Sequence, residues 1–304
     1  MNAQSPHAAS PYAQQLARIP VTEHSVPLLG SETRYWAYGD ADATTTVVLV
    51  HGYRGEHHGL EPIVAHLPGM RFIAPDLPGF GASGAMTEAA HDIDGYATWL
   101  IAFMDALGLT GNAAVLGHSF GSIVVSAATA RGLTAPAIVL VNPIAVPGLE
   151  GPRPVATALT VGFYRSARLL PERAARAFLG SPVIVRGMSI ALAKTKDKGL
   201  RRWIHGQHDT YFSRFASKQT ILEGFDASVT RSVGEFAHAI EAPTLLVAAE
   251  RDDITPLSAI RALNGAIAGS ELVVIPEVGH LIHYETPAVA ASAIESFLAR
   301  HRTP

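Results

Sequence analysis

A serine flanked at two residues on either side by glycine, in GHSFG (Gly117 to Gly121), is the strongest chemical signal in the chain. A serine hydroxyl is a weak nucleophile at neutral pH and needs a base beside it. It also needs exposure to substrate, which a sharp strand-to-helix turn supplies by lifting the side chain above a sheet. Side chains two residues either side would collide in such a turn, which accounts for Gly117 and Gly121. The run NAAVLGHS before the turn and SFGSIVVSAATA after it read as the strand and the helix that this geometry requires. The expected base is His280, in VGHLIHYETP just after an apolar run, with His283 as its competitor. A base of this kind needs a carboxylate to fix its tautomer and stabilise the imidazolium. LLVAAERDDITP offers Glu250, Asp252 and Asp253; Asp252, four residues before Pro256, is the expected partner and Asp253 the alternative. A second possible acid position, after AIVLVNP, holds Asn142, whose amide cannot carry the charge.

Acyl transfer also needs N–H groups aimed at the oxygen that becomes charged. The N–H of Phe120, directly after the serine, is one candidate. The second is that of Tyr53 in HGYRG, where His51 and Gly52 shape a turn after the run TTVVLVHG.

These residues must be held by a sheet. Strands are expected near Val21–Leu29 and Arg34–Tyr38, then at Thr45–Gly52 and from Arg71, Asn112, Ala137, Thr244 and Glu271. From Thr45 on the runs are nearly continuous in apolar residues, the pattern of parallel strands covered on both faces. Helices are expected between them. One carries Ile93, Tyr96, Leu100, Phe103, Met104 and Leu107 on a single stripe before Gly108, and the last runs from Pro287 to about Arg300. Alternating strand and helix gives an α/β fold with a mostly parallel central sheet. The alternation breaks over 144–241, which reads as a helical insertion between two stretches of core, 21–143 and 242–304. Residues 1–20 read as an N-terminal arm.

HGYRG, DLPGFGAS (Asp76 to Ser83), GHSFG, ERDDITP and GHLIHYETP occur in the order found in the α/β-hydrolase superfamily. The chain resembles its serine-nucleophile branch with a helical cap, from about residue 21 to 301. The resemblance implies a catalytic set of Ser119, Asp252 and His280, an oxyanion hole at Tyr53 and Phe120, and an insertion that roofs the site and selects substrate. Relatives that use an aspartate nucleophile, the haloalkane dehalogenases and epoxide hydrolases, are disfavoured by Ser119. Carbon–carbon-bond hydrolases carry a different oxyanion loop and an asparagine before the serine, where this chain has His118.

The function expected is hydrolysis of carboxylic esters or lactones of small to medium apolar substrates. Arg54, His118 and Phe163 are candidate substrate contacts, Phe163 from an amphipathic helix over Pro154–Leu170. A carbon–carbon hydrolase or lyase acting on a carboxylate-bearing substrate is the first alternative, and a ligand-binding receptor the second. No cofactor and no metal are expected; His57 and His58 are adjacent and not spaced for one helix face.

Composition excludes further classes. The chain has 304 residues, no cysteine and a net charge of −3, so thiol catalysis, cysteine-ligated metal and an overall basic nucleic-acid footprint are out. The insertion 144–241 holds 14 basic and 8 acidic residues, against 9 and 18 in the rest. No signal-peptide core, membrane span or exposed apolar segment is evident. That points to a cytoplasmic enzyme with a small-molecule substrate, and away from lipase action at an interface. The oligomeric state is left open.

Overall fold

The structure, a computed structural model, describes residues 10–301. Its strands are β1 (Val21–Leu28), β2 (Ser31–Tyr38), β3 (Thr46–Val50), β4 (Arg71–Pro75), β5 (Ala114–His118), β6 (Ile138–Val141), β7 (Thr244–Ala249) and β8 (Glu271–Ile275). They form one sheet in the order β1-β2-β4-β3-β5-β6-β7-β8. The pairings β1 with β2 and β2 with β4 are antiparallel, and all those from β4 to β8 are parallel.

Successive residues of a strand point to opposite faces. In β3, Val48 and Val50 enter one apolar core and Val47 and Leu49 the other. Both faces therefore need helices. The chain supplies α1 (Ala13–Leu16), α2 (Glu61–Val64), α3 (Ile93–Ala106) and α4 (Phe120–Ala130) before the insertion. The expected stripe of α3 is buried except at Leu107, which is half-buried, and it is widened by Ala97 and Trp99. Asp92 caps this helix by accepting from the Gly95 N–H at 2.8 Å.

Between β6 and β7 the regular elements are all helical: α5 (Pro154–Arg168), α6 (Glu172–Leu179), α7 (Pro182–Leu192), α8 (Lys198–Tyr211) and α9 (Lys218–Thr230), with short 3-10 turns. Ser232 and Glu235 form a capping box at the start of a 3-10 turn, Val233–Glu235. After β7 come α10 (Leu257–Ala266), α11 (Ile282–Glu285) and α12 (Pro287–Arg300). α12 packs Ile294, Phe297 and Leu298 inward and leaves Val289 exposed.

At the surface the expected arm is described in part, and the expected absence of exposed apolar segments is overturned. Residues 1–9 of the expected arm lie outside the described residues; from residue 10 it is docked, with Tyr12 donating to the Tyr284 carbonyl at 2.9 Å and stacking edge-on against Trp203. The insertion also exposes large apolar side chains, among them Val155, Leu159, Leu169, Val183 and Ile190. Helical periodicity places these residues on the outer side of α5 and α7, which the sequence pattern alone could not orient. By length and composition Glu172–Leu192 is apolar enough to cross a membrane, yet it is broken into α6 and α7 at Gly180 and Ser181.

Candidate active site

The serine turn is strained in the way its glycines require. Ser119 sits at φ 53°, ψ −117°, between the end of β5 and the start of α4. A side chain on Gly117 would come within 2.6 Å of the Gly121 carbonyl oxygen, and one on Gly121 would collide with the Val50 carbonyl. The turn is pinned by the Ser119 N–H donating to the Val141 carbonyl at 3.0 Å and by Ser122, whose hydroxyl donates to the Ser119 carbonyl.

Three strand ends converge there. Ser119 Oγ lies 2.8 Å from His280 Nε2, and His280 Nδ1 lies 2.8 Å from Asp252 Oδ2. An ionised carboxylate only accepts hydrogen bonds, so His280 Nδ1 carries the proton and Nε2 is free to accept from the serine hydroxyl. Asp252 Oδ1 accepts from the Ile254 N–H at 2.8 Å, and Oδ2 from the Asn142 side-chain amide at 3.0 Å. Burial alone would raise the Asp252 pKa; the His280 imidazole and these donors outweigh it and hold the carboxyl below its usual value. Asn142 thus has a role the sequence reading missed. It occupies the alternative acid position and, at φ 45°, turns its amide onto the acid instead.

The alternatives fall elsewhere. Asp253 pairs with Arg153 at 2.7 Å and with Lys194, two residues of the insertion. His283 packs on His118 with ring centroids 4.1 Å apart. Both rings are buried, and His118 Nε2 and His283 Nδ1 have no hydrogen-bond partner. Burial, then repulsion from neighbouring histidines, pushes His118 down to about 3 and His283 well below the usual range, so both are neutral. Glu250 accepts from the Glu277 N–H at 2.9 Å and has no contact with His280.

The loop carrying Tyr53 runs directly against the serine. A side chain on Gly52 would meet Ser119 Cβ at 3.2 Å. His51 fixes this loop: its Nε2 accepts from the Leu77 N–H at 2.8 Å, so its Nδ1 carries the proton and donates to the Gly52 carbonyl at 2.9 Å. Tyr53 and Phe120 both line a cavity of about 370 Å³ with Ser119 and His280. Its walls are mainly apolar, including Ile144, Val161, Met188, Leu192, Phe225 and Leu281.

Two expected substrate contacts are held by partners within the protein. Arg54 borders the cavity, but its guanidinium donates to the Phe212 carbonyl (2.9 Å), the Tyr164 hydroxyl (3.1 Å) and the Leu179 carbonyl (2.9 Å). It ties the Tyr53 loop to the insertion and is not aimed at a ligand. Phe163 lies outside the cavity lining and packs on Phe178 with centroids 4.6 Å apart. The face of α5 turned to the cavity is that of Ala156, Thr157, Thr160, Val161 and Tyr164; Phe163, about 100° from Tyr164, faces α6 instead. His118 does line the cavity.

Glu56, His57 and His58 have ligand atoms within 4.8 Å of one another, the spacing of a metal site. Both imidazoles are already committed to carboxylates, His57 Nδ1 to Asp76 at 2.8 Å and His58 Nδ1 to Glu56. They also lie in a stack, Trp36 on His57 at 3.4 Å and His58 on Tyr211 at 4.4 Å, that joins β2 to α8. These contacts account for the cluster as a structural bridge.

Comparison with known proteins is consistent with this geometry. The family described as alpha/beta hydrolase fold matches residues 45–287. The pimeloyl-[acyl-carrier protein] methyl ester esterase of Neisseria meningitidis (strain MC58) is 28% identical over 274 residues, covering 86% of this chain and 93% of that protein. Lipase 3 of a Moraxella strain is 33% identical over 107 residues; the match spans 35% of this chain and 34% of the lipase. A thermophilic esterase from Thermogutta terrifontis superposes with a TM-score of 0.73 at 23% identity, over 93% of this chain and all of that one.

Proposed function

Because the chain belongs to the alpha/beta hydrolase fold family, we propose that it cleaves carboxylic esters through an acyl-enzyme on Ser119. The observation that carries this reading is the row Ser119, His280, Asp252, with two 2.8 Å hydrogen bonds, opening into an apolar cavity. Ser119 Oγ attacks the ester carbonyl while His280 Nε2 takes its proton. The N–H groups of Tyr53 and Phe120 receive the charged oxygen. His280 then gives the proton to the leaving alcohol, and water repeats the sequence to release the acid and restore the serine. Residues 144–241 act as the cap, and its apolar lining selects a small to medium acyl or alcohol group.

The carbon–carbon alternative needs a cation free to hold a substrate carboxylate. The two arginines of the cavity are both engaged, Arg54 by three acceptors and Arg153 by Asp253. The curated relative that acts on a methyl ester guides the choice of substrates. Turnover of p-nitrophenyl and methyl esters of increasing acyl length, by wild type and Ser119→Ala in parallel, tests the proposal. Sustained wild-type turnover lost in Ser119→Ala supports it. A single burst that stops points to the receptor reading, and equal turnover by both proteins removes Ser119 from the mechanism.

A further inference from the structure

We propose that the cap face around the cavity mouth docks on an anionic lipid bilayer, from which the substrate enters. The nature of the reaction rests on the ester-hydrolase reading above; the docking does not.

The mouth is located by residues that both line the cavity and are exposed: Arg153, Ala156 and Thr160 at the start of α5 and Ala191 at the end of α7. Beside them in sequence stand Val155 (74% exposed), Leu159 (72%) and Ile190 (61%). Val155 and Leu159 are one turn apart on α5, and Val183 and Ile190 are two turns apart on α7, so each helix carries an apolar stripe. Of the eight large apolar side chains exposed among the described residues, six lie between residues 149 and 190. Isolated exposed apolar residues are ordinary, but Val155, Leu159 and Ile190 together beside a cavity mouth mark a contact surface.

The segment Glu172–Leu192 adds a second observation. It is as apolar as a membrane span, yet only 22% of its most apolar stretch is buried. Broken into helices of 8 and 11 residues, it is too short in each part to cross the roughly 30 Å of a bilayer core. Of the two, α7 exposes Val183 and Ile190, the face of a helix that lies in the interface instead.

Charge selects the partner. The ion pairs of the insertion engage Arg153, Arg168, Arg176, Arg186, Lys194, Arg214 and Arg231. Among the described residues Arg165, Arg173, Lys196, Lys198 and Arg202 are exposed and make no such pair. Exposed cations on the same insertion as the apolar stripes match anionic headgroups above acyl chains. A second copy meeting it cap to cap would set cation against cation. The remainder of the chain is net acidic, which orients the cap toward the lipid.

The test is flotation of the full-length protein with phosphatidylcholine vesicles, with and without phosphatidylglycerol. Wild type is expected to float with the anionic vesicles only. Leu159→Asp combined with Ile190→Asp should cut the bound fraction about tenfold, as should Arg165→Glu with Arg173→Glu. Both pairs should keep turnover of a soluble p-nitrophenyl ester within about twofold, which shows them folded. Wild type that stays unbound overturns the docking, whatever its esterase activity. So does binding that survives both variant pairs, or binding to an acidic soluble protein without binding to vesicles. Vesicle binding by a protein with no ester turnover would sustain the docking and sink the catalytic reading instead.

Discussion

The strand ends under the cavity and the helices above it treat their side chains in opposite ways. At the strand ends close contact is obligatory. Gly117, Gly121 and Gly52 sit where a single methyl group would strike a backbone atom or the serine, and Asp252 has an acceptor bond on each oxygen. The outer faces of α5 and α7 instead leave leucine, valine and isoleucine in water, and their arginines reach exposed carboxylates. Chemistry on a serine needs atoms held to within a few tenths of an ångström, and only a close-packed sheet edge supplies that. The outer ion pairs of the roof are exposed and individually weak, while its inner face packs on the core through Tyr164, Leu179 and Phe225.

Substitutions in the lower region should therefore be far more damaging than those in the roof. Ser119→Ala is expected to remove four or more orders of magnitude of kcat/KM, measured on the best ester of the series, with the melting temperature nearly unchanged. Substantial residual turnover would break the comparison at its strongest point.

Asp76 sharpens it through stability. Its buried carboxylate accepts from the His57 N–H and ring at 2.8 Å each and from the Ala82 N–H at 2.8 Å. Burial would raise its pKa, but His57 and His51 and these bonds hold it below the usual value. A carboxyl depressed in the folded state contributes stability at pH above its unfolded pKa of about 3.9 and loses it as pH falls through the lower folded pKa. Wild type should therefore lose stability below about pH 4, measured as the urea midpoint against pH. Asp76→Asn should lower the unfolding free energy at pH 7 by about 1–3 kcal/mol, seen as a lower urea midpoint, and flatten the acid decline.

Asn142→Ala removes one donor from Asp252, and about a tenfold fall in kcat is expected with KM unchanged. A change confined to KM would place Asn142 in substrate binding instead. The smallest effect belongs to the roof. Asp253→Asn loosens Arg153 and Lys194 at the mouth and should move KM by no more than about fivefold, leaving kcat alone, because exposed pairs contribute at most about 1 kcal/mol.

How legible each part was in the sequence follows the same division. GHSFG announced its own turn because steric collisions two residues apart are local. The preference for Asp252 over Asp253 rested on loop position, and in the fold the two adjacent carboxylates point opposite ways, one to His280 and one to the cap. In the sequence Asn142 shows only as a missing acid; its bond to Asp252 joins residues 110 apart and leaves no local trace. Arg54 and Phe163 looked like ligand contacts because a free cation and an aromatic near the site suggest binding. Their actual partners, the Leu179 carbonyl and Phe178, come from a different helix.

Sequence by itself determined the sheet, the strained serine turn and the order of the chemical groups. Those depend on apolar periodicity and on clashes between near neighbours, which any stretch of chain carries with it. Only the tertiary structure decided which histidine faces the serine, which arginines are already taken, and that the roof turns an apolar face to solvent. Each of these depends on the angle at which one helix meets another element, and no spacing within a helix encodes that angle.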